Sequence, residues 1–553
     1  MSDKTVGEYL FDCLFNEDIT EIFGVPGDYN FPLLDILERN ETIKFINCRN
    51  ELNAGYAADG YSRIKGMGAL ITTFGVGELS AINAVAGSYS EQVAVIHIVG
   101  APKTMLQNEH KLMHHTLLDG NYDVFRKIYE SVTAYTAAIT AENAEIEIPR
   151  AIEIAKNMKK PVYLVFALDI VEQITVPRNI PLPQNHSNKE SLNEAVNKIK
   201  QMVDASQKPV LLSGALVARH NLQAQIIEII EKMNMPVSTM MMGKGSIDES
   251  HKNYVGLYAG DLGNQDAKAI IESADLIFAI GTMWTDNNTG SFTANINPAV
   301  TIEIQPEFTK IGMAVYENIL MADMLSEIAK IAYKKYDVLQ DTSFPYDEIE
   351  VGMYENISAK YYYPKFQQFL KENDIVISDA GTFSPGLSLL RLPKGVQFIF
   401  QPAWGSIGYA TPAALGAALA AKNRRILLFT GDGSFQFTVQ AMSSIVQYGC
   451  KIIVFLLNNN FYTIEAYLNT PQESQYNNIP EWDYAGLLKA FKGDVFFKNV
   501  STNKEFDEAL EETEQHQNKK ICFIEMNAEP LDAPYIVHKM HQMIEAHKKN
   551  NQP

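Results

Sequence analysis

Short, continuously apolar runs alternate along the chain with longer stretches whose apolar positions return at helical spacing. The runs ALITTF (69–74), VAVIHIV (93–99), PVYLVF (161–166), PVLLSG (209–214), LIFAIG (276–281), TIEIQ (301–305), DIVISD (374–379), RILLFT (425–430) and KIIVFLL (451–457) read as strands. A strand apolar on successive residues, rather than on every second one, is covered on both faces, as in a parallel sheet flanked by helices. Strand and helix patterns that alternate from end to end predict an α/β architecture of doubly wound parallel sheets.

Two stretches break the alternation. VEQITVPRNIPLPQNHSNKE (171–190) carries three prolines and little periodicity, and KKYDVLQDTSFPYDEIEVG (334–352) is polar and aperiodic. Cutting there predicts three domains, 1–180, 190–340 and 353–553, each the size of one α/β unit. The segments ALITTFGVGELSAINAVAGSYSEQVAVIHIVG and RILLFTGDGSFQFTVQAMSSIVQYGCKIIVFLLNNN both run strand, Gly-x-Gly, helix, strand. Either the outer domains are related sheets around the middle one, or two βαβ units simply look alike.

At 46% hydrophobic and 20% charged, the composition is that of an ordinary globular protein. A formal charge of −20 without any basic block removes the clustered Lys and Arg that nucleic-acid phosphates require, so no nucleic-acid partner is expected. No apolar run is long enough to span a bilayer, and MSDKTVGEYLFDCLF lacks the apolar core of a leader. Cys13, Cys48, Cys450 and Cys522 are scattered without metal-ligand spacing and read as free, buried thiols. A cytoplasmic protein with no membrane partner is the expectation.

The chemistry concentrates in TGDGSFQFT (430–438) and NNNFYTIE (458–465), which follow neighbouring strands at the sheet edge where α/β ligands bind. Asp432 and, 27 residues on, Asn459 offer hard oxygens of the kind Mg²⁺ takes. Gly431 and Gly433 let backbone N–H groups approach a phosphate. GDG alone is usually a turn; the spaced pair is far more specific.

With EIFGVPGDYN, RNELNAGYAADGYSR, TTFGVGELSAINAVAGSYSE, MHHTLLDG and QPAWGSIGYATPAALGAALA, these motifs resemble the 2-oxo acid decarboxylase branch of the thiamine diphosphate enzymes along essentially the whole chain. That branch includes pyruvate, indolepyruvate, phenylpyruvate and branched-chain 2-oxo acid decarboxylases. The resemblance implies thiamine diphosphate held through Mg²⁺, domains in the order pyrimidine-binding, middle, diphosphate-binding, and release of an aldehyde and CO2 from a 2-oxo acid. It also implies a cofactor held between the first domain of one subunit and the third of another, hence a homodimer or homotetramer.

Residue by residue, the resemblance makes Glu51 the carboxylate that activates the aminopyrimidine, and Asp28, His114, His115 and Glu465 the groups that manage protons. Asp432, Asn459 and the carbonyl of Phe461 would hold the metal. Gly405, Thr382, Gly431, Gly433 and Ser434 would border the cofactor, and Ile407 would prop it into a bent shape. Read singly, each has a plainer role: Glu51 suits a helix first turn, Asp28 a turn after Pro-Gly, and Ile407 an ordinary core. FGVGELSAINAVAG lacks the third glycine of a dinucleotide loop and reads as interface packing. Ala54, Gly55, Ala57, Ala58 and Gly60 suit a close-packed helix at a subunit interface.

Departures from the family bear on substrate choice. Phe461 stands where relatives usually have Gly, although any residue supplies a carbonyl. Ser384 and Pro385 replace an aromatic pair that some branched-chain relatives carry, and Asn287 and Asn288 stand where close relatives carry serines. With Ile464, Met540 and Ile544, these changes predict a roomy apolar pocket and a 2-oxo acid larger than pyruvate. The alternative is a carboligase resembling acetohydroxyacid synthase, which the tandem histidine disfavours.

Overall fold

The computed structural model describes residues 4–176, 185–331, 334–336, 342–349, 351–469 and 474–550. The centres of both predicted connectors, 177–184, 337–341 and residue 350, lie outside the described residues.

Three sheets form. The first contains β1 (Glu21–Gly24), β2 (Lys44–Asn47), β3 (Gly68–Thr73), β4 (Val95–Ala101), β5 (Tyr135–Ile139) and β6 (Val162–Ala167). The second contains β7 (Pro209–Ser213), β8 (Val237–Met240), β9 (Tyr254–Tyr258), β10 (Leu276–Ile280), β11 (Thr301–Ile304), β12 (Phe308–Ile311) and β13 (Ala314–Glu317). The third contains β14 (Ile375–Ser378), β15 (Gln397–Ile399), β16 (Ile426–Gly431), β17 (Ile452–Asn458), β18 (Val495–Val500) and β19 (Ile521–Asn527).

The outer sheets are wholly parallel, ordered β2-β1-β3-β4-β6-β5 and β15-β14-β16-β17-β19-β18. Strand for strand these are one topology, so the echo in the sequence reflects two sheets of the same design. The middle sheet runs β13-β12-β11-β10-β7-β8-β9 and is parallel except for β12 and β13, which form an antiparallel hairpin. Gly312, at φ +60, opens its two-residue loop, where a positive φ matches the strand twist. Among the described residues, no helix is long and apolar enough to cross a membrane.

The first and third sheets are joined by two helices, Glu51–Lys65 and Ala410–Ala420, that touch backbone to backbone. A Cβ added at Gly416 would lie 1.9 Å from the Ala57 carbonyl oxygen, and one at Gly60 would lie 2.3 Å from that of Ala413. Gly55 packs on the Ala84 side chain, where an added Cβ would lie 2.5 Å from the alanine Cβ. The small residues of helix Glu51–Lys65, expected at a subunit interface, are therefore buried inside the single chain. A side chain at Gly416 must push backbone aside, so Gly416→Val should lower stability by about 3 kcal/mol or more. Urea denaturation checks this: a markedly lower midpoint is expected, and an unchanged one contradicts the packing described.

Candidate active site

At the C-terminal edge of the third sheet, β16 ends in Gly431 and a short helix, Asp432–Phe437, starts at once. β17 ends beside it and delivers Asn459. Asp432 is 2% exposed; one carboxylate oxygen accepts the Gly433 N–H (2.8 Å) and the other the N–H groups of Asn459 (3.2 Å) and Asn460 (2.6 Å). Burial pushes its pKa up to about 6. Asn460 takes φ +53, the left-handed conformation that asparagine tolerates. Asn459 donates to Thr463 Oγ1 (2.7 Å) and accepts the Phe461 N–H (3.2 Å).

These residues line a cavity of about 270 Å³ together with Thr382, Phe383, Ile407, Ser434, Ile464 and Glu465. A Cβ at Gly381, Gly405 or Gly431 would meet nothing within 4 Å, so backbone faces open space at all three. Among the described residues, the lining holds two carboxylates and neither Lys nor Arg. With no cationic side chain in that lining, a cation entering with a diphosphate would neutralise it. The residues present therefore suit a metal-bound diphosphate, with Asp432, Asn459 and Phe461 as oxygen donors.

The other predicted residues gather at the first sheet. Asp28 opens a single helical turn after Gly27. Its carboxylate lies 2.6 Å from His114 Nε2 and 3.7 Å from His115 Nε2. Tyr29 stacks on the His114 ring (centroids 4.9 Å apart), and its hydroxyl donates to the His114 carbonyl (3.2 Å). Glu51 is the first residue of its helix, capped by the Asn50 side chain on the Asn53 N–H (2.7 Å). A Cβ at Gly77 would sit 3.3 Å from Glu51 Oε1, so this carboxylate rests on the start of helix Val76–Ser90.

None of Asp28, Glu51, His114 and His115 lines the cavity, although Tyr56 on the Glu51 helix donates to Ser406 Oγ (2.6 Å), beside Ile407. Among the described residues, none before 380 lines the cavity. Just ahead of Glu51, the Asn47 N–H bonds the Tyr448 hydroxyl (2.7 Å) and Arg49 bonds Gln447 (2.6 Å), at the end of β17 opposite Asn459. The seven residues of β17 separate these points by about 20 Å.

The predicted substrate-pocket residues divide. Ile464 lines the cavity. Met540 packs with it on one apolar cluster, on a C-terminal helix (Tyr535–Asn550) that touches the short helix Phe383–Ser388 carrying Ser384 and Pro385. Ile544, farther along that helix, is half-buried. Asn287 lies apart: exposed, it donates to the Pro402 carbonyl (2.7 Å), while Asn288 is buried and bonds main chain at Met242 and Met283.

Descriptions of the thiamine pyrophosphate enzymes match this chain in three places: the N-terminal TPP binding domain at residues 4–121, the central domain at 196–328 and the C-terminal TPP binding domain at 379–526. Fold and site thus define an enzyme of the thiamine pyrophosphate (thiamine diphosphate) class. The chain is 37% identical to pyruvate decarboxylase isozyme 3 of Saccharomyces cerevisiae over 563 residues, covering 99% of each. It is 40% identical over 545 residues to a pyruvate decarboxylase of Aspergillus fumigatus, covering 96% of this chain and 95% of that one. It belongs to the thiamine diphosphate-dependent 2-oxo acid decarboxylase family.

Sequence reasoning passed over Tyr29, whose only linear signal is its place beside Asp28. It also passed over Asp379, which closes the strand pattern DIVISD yet sits beneath the cavity. Asp379 accepts the Gly408 N–H (2.9 Å) and the Thr430 hydroxyl (3.1 Å), tying the loop that carries Ile407 to the strand that carries Gly431. Burial pushes its pKa up to about 7. Between pH 5 and 7 the folded chain keeps this proton while the unfolded chain, with a pKa of about 3.9, has released it. The group therefore favours folding at low pH and loses that contribution as pH rises, at roughly 1.4 kcal/mol per unit. Relative to the unsubstituted chain, Asp379→Asn should gain stability steadily from pH 5 to 7 and level off above. A pH-independent difference in urea midpoint would contradict this.

Proposed function

We propose that this 2-oxo acid decarboxylase releases an aldehyde at a site assembled from two copies of the chain, with Mg²⁺ beside the diphosphate. We further propose that it accepts 2-oxo acids with side chains larger than methyl. The observation that carries the first reading is the division of the site: none of Glu51, Asp28, His114 and His115 lines the Asp432 cavity of the same chain. Exposed apolar side chains border both, Val76 and Leu79 near Glu51 and Trp404 and Phe437 near Ile407. Apolar surface of this kind favours burial against a second copy, as a homodimer or a pair of dimers.

Bound in the cavity, thiamine diphosphate supplies a thiazolium that takes up the electron pair left by the departing carboxylate. The chain supplies the rest. Asp432, Asn459 and the Phe461 carbonyl hold the metal. The backbone at Gly431, Gly433 and Gly405, with Ser434, Thr382 and Ile407, shapes the cradle. Glu51, half-buried at its helix start, bonds and orients the pyrimidine ring. Asp28 keeps His114 and His115 within proton-transfer distance, 2.6 Å and 3.7 Å from its carboxylate. Glu465, exposed at the cavity mouth, adds a second carboxylate.

The substrate reading rests on Ser384 and Pro385, with Ile464 and Met540 as apolar wall. A second reading, pyruvate itself, is favoured by the names of the similar proteins. Purified protein with Mg²⁺ and thiamine diphosphate, coupled to an alcohol dehydrogenase, decides between them across a series from pyruvate to indolepyruvate. The larger acids should match or exceed pyruvate in kcat/KM. A preference for pyruvate above about tenfold would favour the second reading. Aldehyde from none of them, with cofactor bound, would contradict both. Glu51→Gln should lower kcat by roughly 100-fold or more with an unchanged urea midpoint; near-parental kcat would remove Glu51 from the mechanism.

A further inference from the structure

One turn underlies the whole N-terminal half of the site. Residues 73–78, TFGVGE, leave β3 and enter helix Val76–Ser90. Gly27, next to Asp28, packs on Thr73, where an added Cβ would lie 2.5 Å from the threonine Cβ. Gly75, at φ +63, lies under the histidine loop: a Cβ there would fall 1.9 Å from the His115 carbonyl oxygen. Gly77 faces the Glu51 carboxylate. Displacement of this turn thus passes directly to Asp28, His115 and Glu51. The sequence predicts interface packing for this motif; its glycines, in addition, seat site residues of the same chain.

The turn is held from behind by Glu78, which is fully buried. One carboxylate oxygen accepts the Gly75 N–H at 2.6 Å and the other the Tyr163 hydroxyl at 2.7 Å. Tyr129 donates to the Glu78 carbonyl at 2.5 Å and stacks on Tyr163 with centroids 4.6 Å apart. His97 lies edge-on to both tyrosines, and burial pushes its pKa down to about 3, so no cation faces Glu78 from that side. Burial without a cationic partner pushes Glu78 up to about 7. A buried carboxylate is a costly way merely to cap a helix, and a Ser or Asn cap would serve an exposed one.

We propose that Glu78 is a positioning residue for the decarboxylase site, holding the turn whose Thr73, Gly75 and Gly77 seat Asp28, His115 and Glu51. This rests on the roles proposed above for those three residues. A glutamine at 78 retains an oxygen for the Gly75 N–H, and the Tyr163 hydroxyl can turn to accept from its amide. An alanine leaves both groups without their acceptor.

Glu78→Ala, Glu78→Gln and Tyr163→Phe test this by two readouts. The first is amide hydrogen exchange of the cofactor-free chain in peptides covering 73–78 and 113–118. The second is kcat and KM for whichever 2-oxo acid the unsubstituted chain turns over. Glu78→Ala should quicken exchange in both segments and lower kcat by about tenfold or more while KM moves less than about threefold. Glu78→Gln should show parental exchange and recover most of kcat. Parental exchange at 113–118 in Glu78→Ala, or a glutamine variant as impaired as the alanine one, would overturn the proposal. If Glu78→Ala does not fold, Tyr163→Phe decides: faster exchange at 113–118 supports the role of Glu78, and unchanged exchange refutes it. An unsubstituted chain that makes no aldehyde would refute the functional reading instead, and the exchange data would still judge Glu78.

Discussion

Backbone contact between helices Glu51–Lys65 and Ala410–Ala420 is the constraint on which the rest of the molecule depends. Gly60 against Ala413 and Gly416 against Ala57 leave no room for a side chain, so the helices meet at the closest distance main chains permit. Interiors are packed densely enough that such a contact transmits position rather than absorbing it. The first and third sheets, of identical topology, are thereby fixed to each other. Glu51 at the start of one helix and Ile407 just before the other then occupy set positions in one body.

That body holds two incomplete halves. One offers a buried, raised-pKa aspartate, amide oxygens and open backbone, with no basic side chain in the described lining. The other offers a carboxylate at a helix start and an Asp–His–His group. On the roles proposed for these residues, a working site needs both halves. The proposed pairing of two copies resolves this, and the exposed apolar residues beside each half are where contact would form. Buried carboxylates recur around the halves in supporting roles: Asp379 ties the Ile407 loop to β16, and Glu78 ties the turn beneath His115. Among the described residues neither has a cationic partner, and each spends its oxygens on N–H and O–H donors, which locks loops that would otherwise drift.

What the sequence revealed follows from what is local. β3, β4, β6, β7, β10, β11, β14, β16 and β17 are legible because both of their faces are covered, which leaves unbroken apolar runs. The edge strands β2, β5, β9, β13, β15 and β18 escaped notice, several of them partly exposed, and so did the interior strands β1, β8, β12 and β19, which are short or broken by polar residues. Asp432 and Asn459 were legible because β16 and β17 are neighbours in both sequence and space. Asp28, His114, His115 and Glu51 needed the family resemblance, since each has an ordinary structural reading and only the fold brings the first three together. Glu78 and Asp379 stayed hidden because burial, which gives them their roles, is a tertiary property. The small-residue face of helix Glu51–Lys65 was legible as close packing, but not as packing within one chain.

The central claim is that each site draws Glu51 from one copy and Asp432 from the other, and complementation tests it most directly. Glu51→Gln and Asp432→Ala chains, each inactive alone, are mixed, allowed to exchange subunits, and assayed for aldehyde. Shared sites predict about a quarter of the unsubstituted activity, because half the dimers are mixed and each of these holds one intact site. A mixture as inactive as its components, with exchange demonstrated, would place both residues in one chain's site and contradict the account.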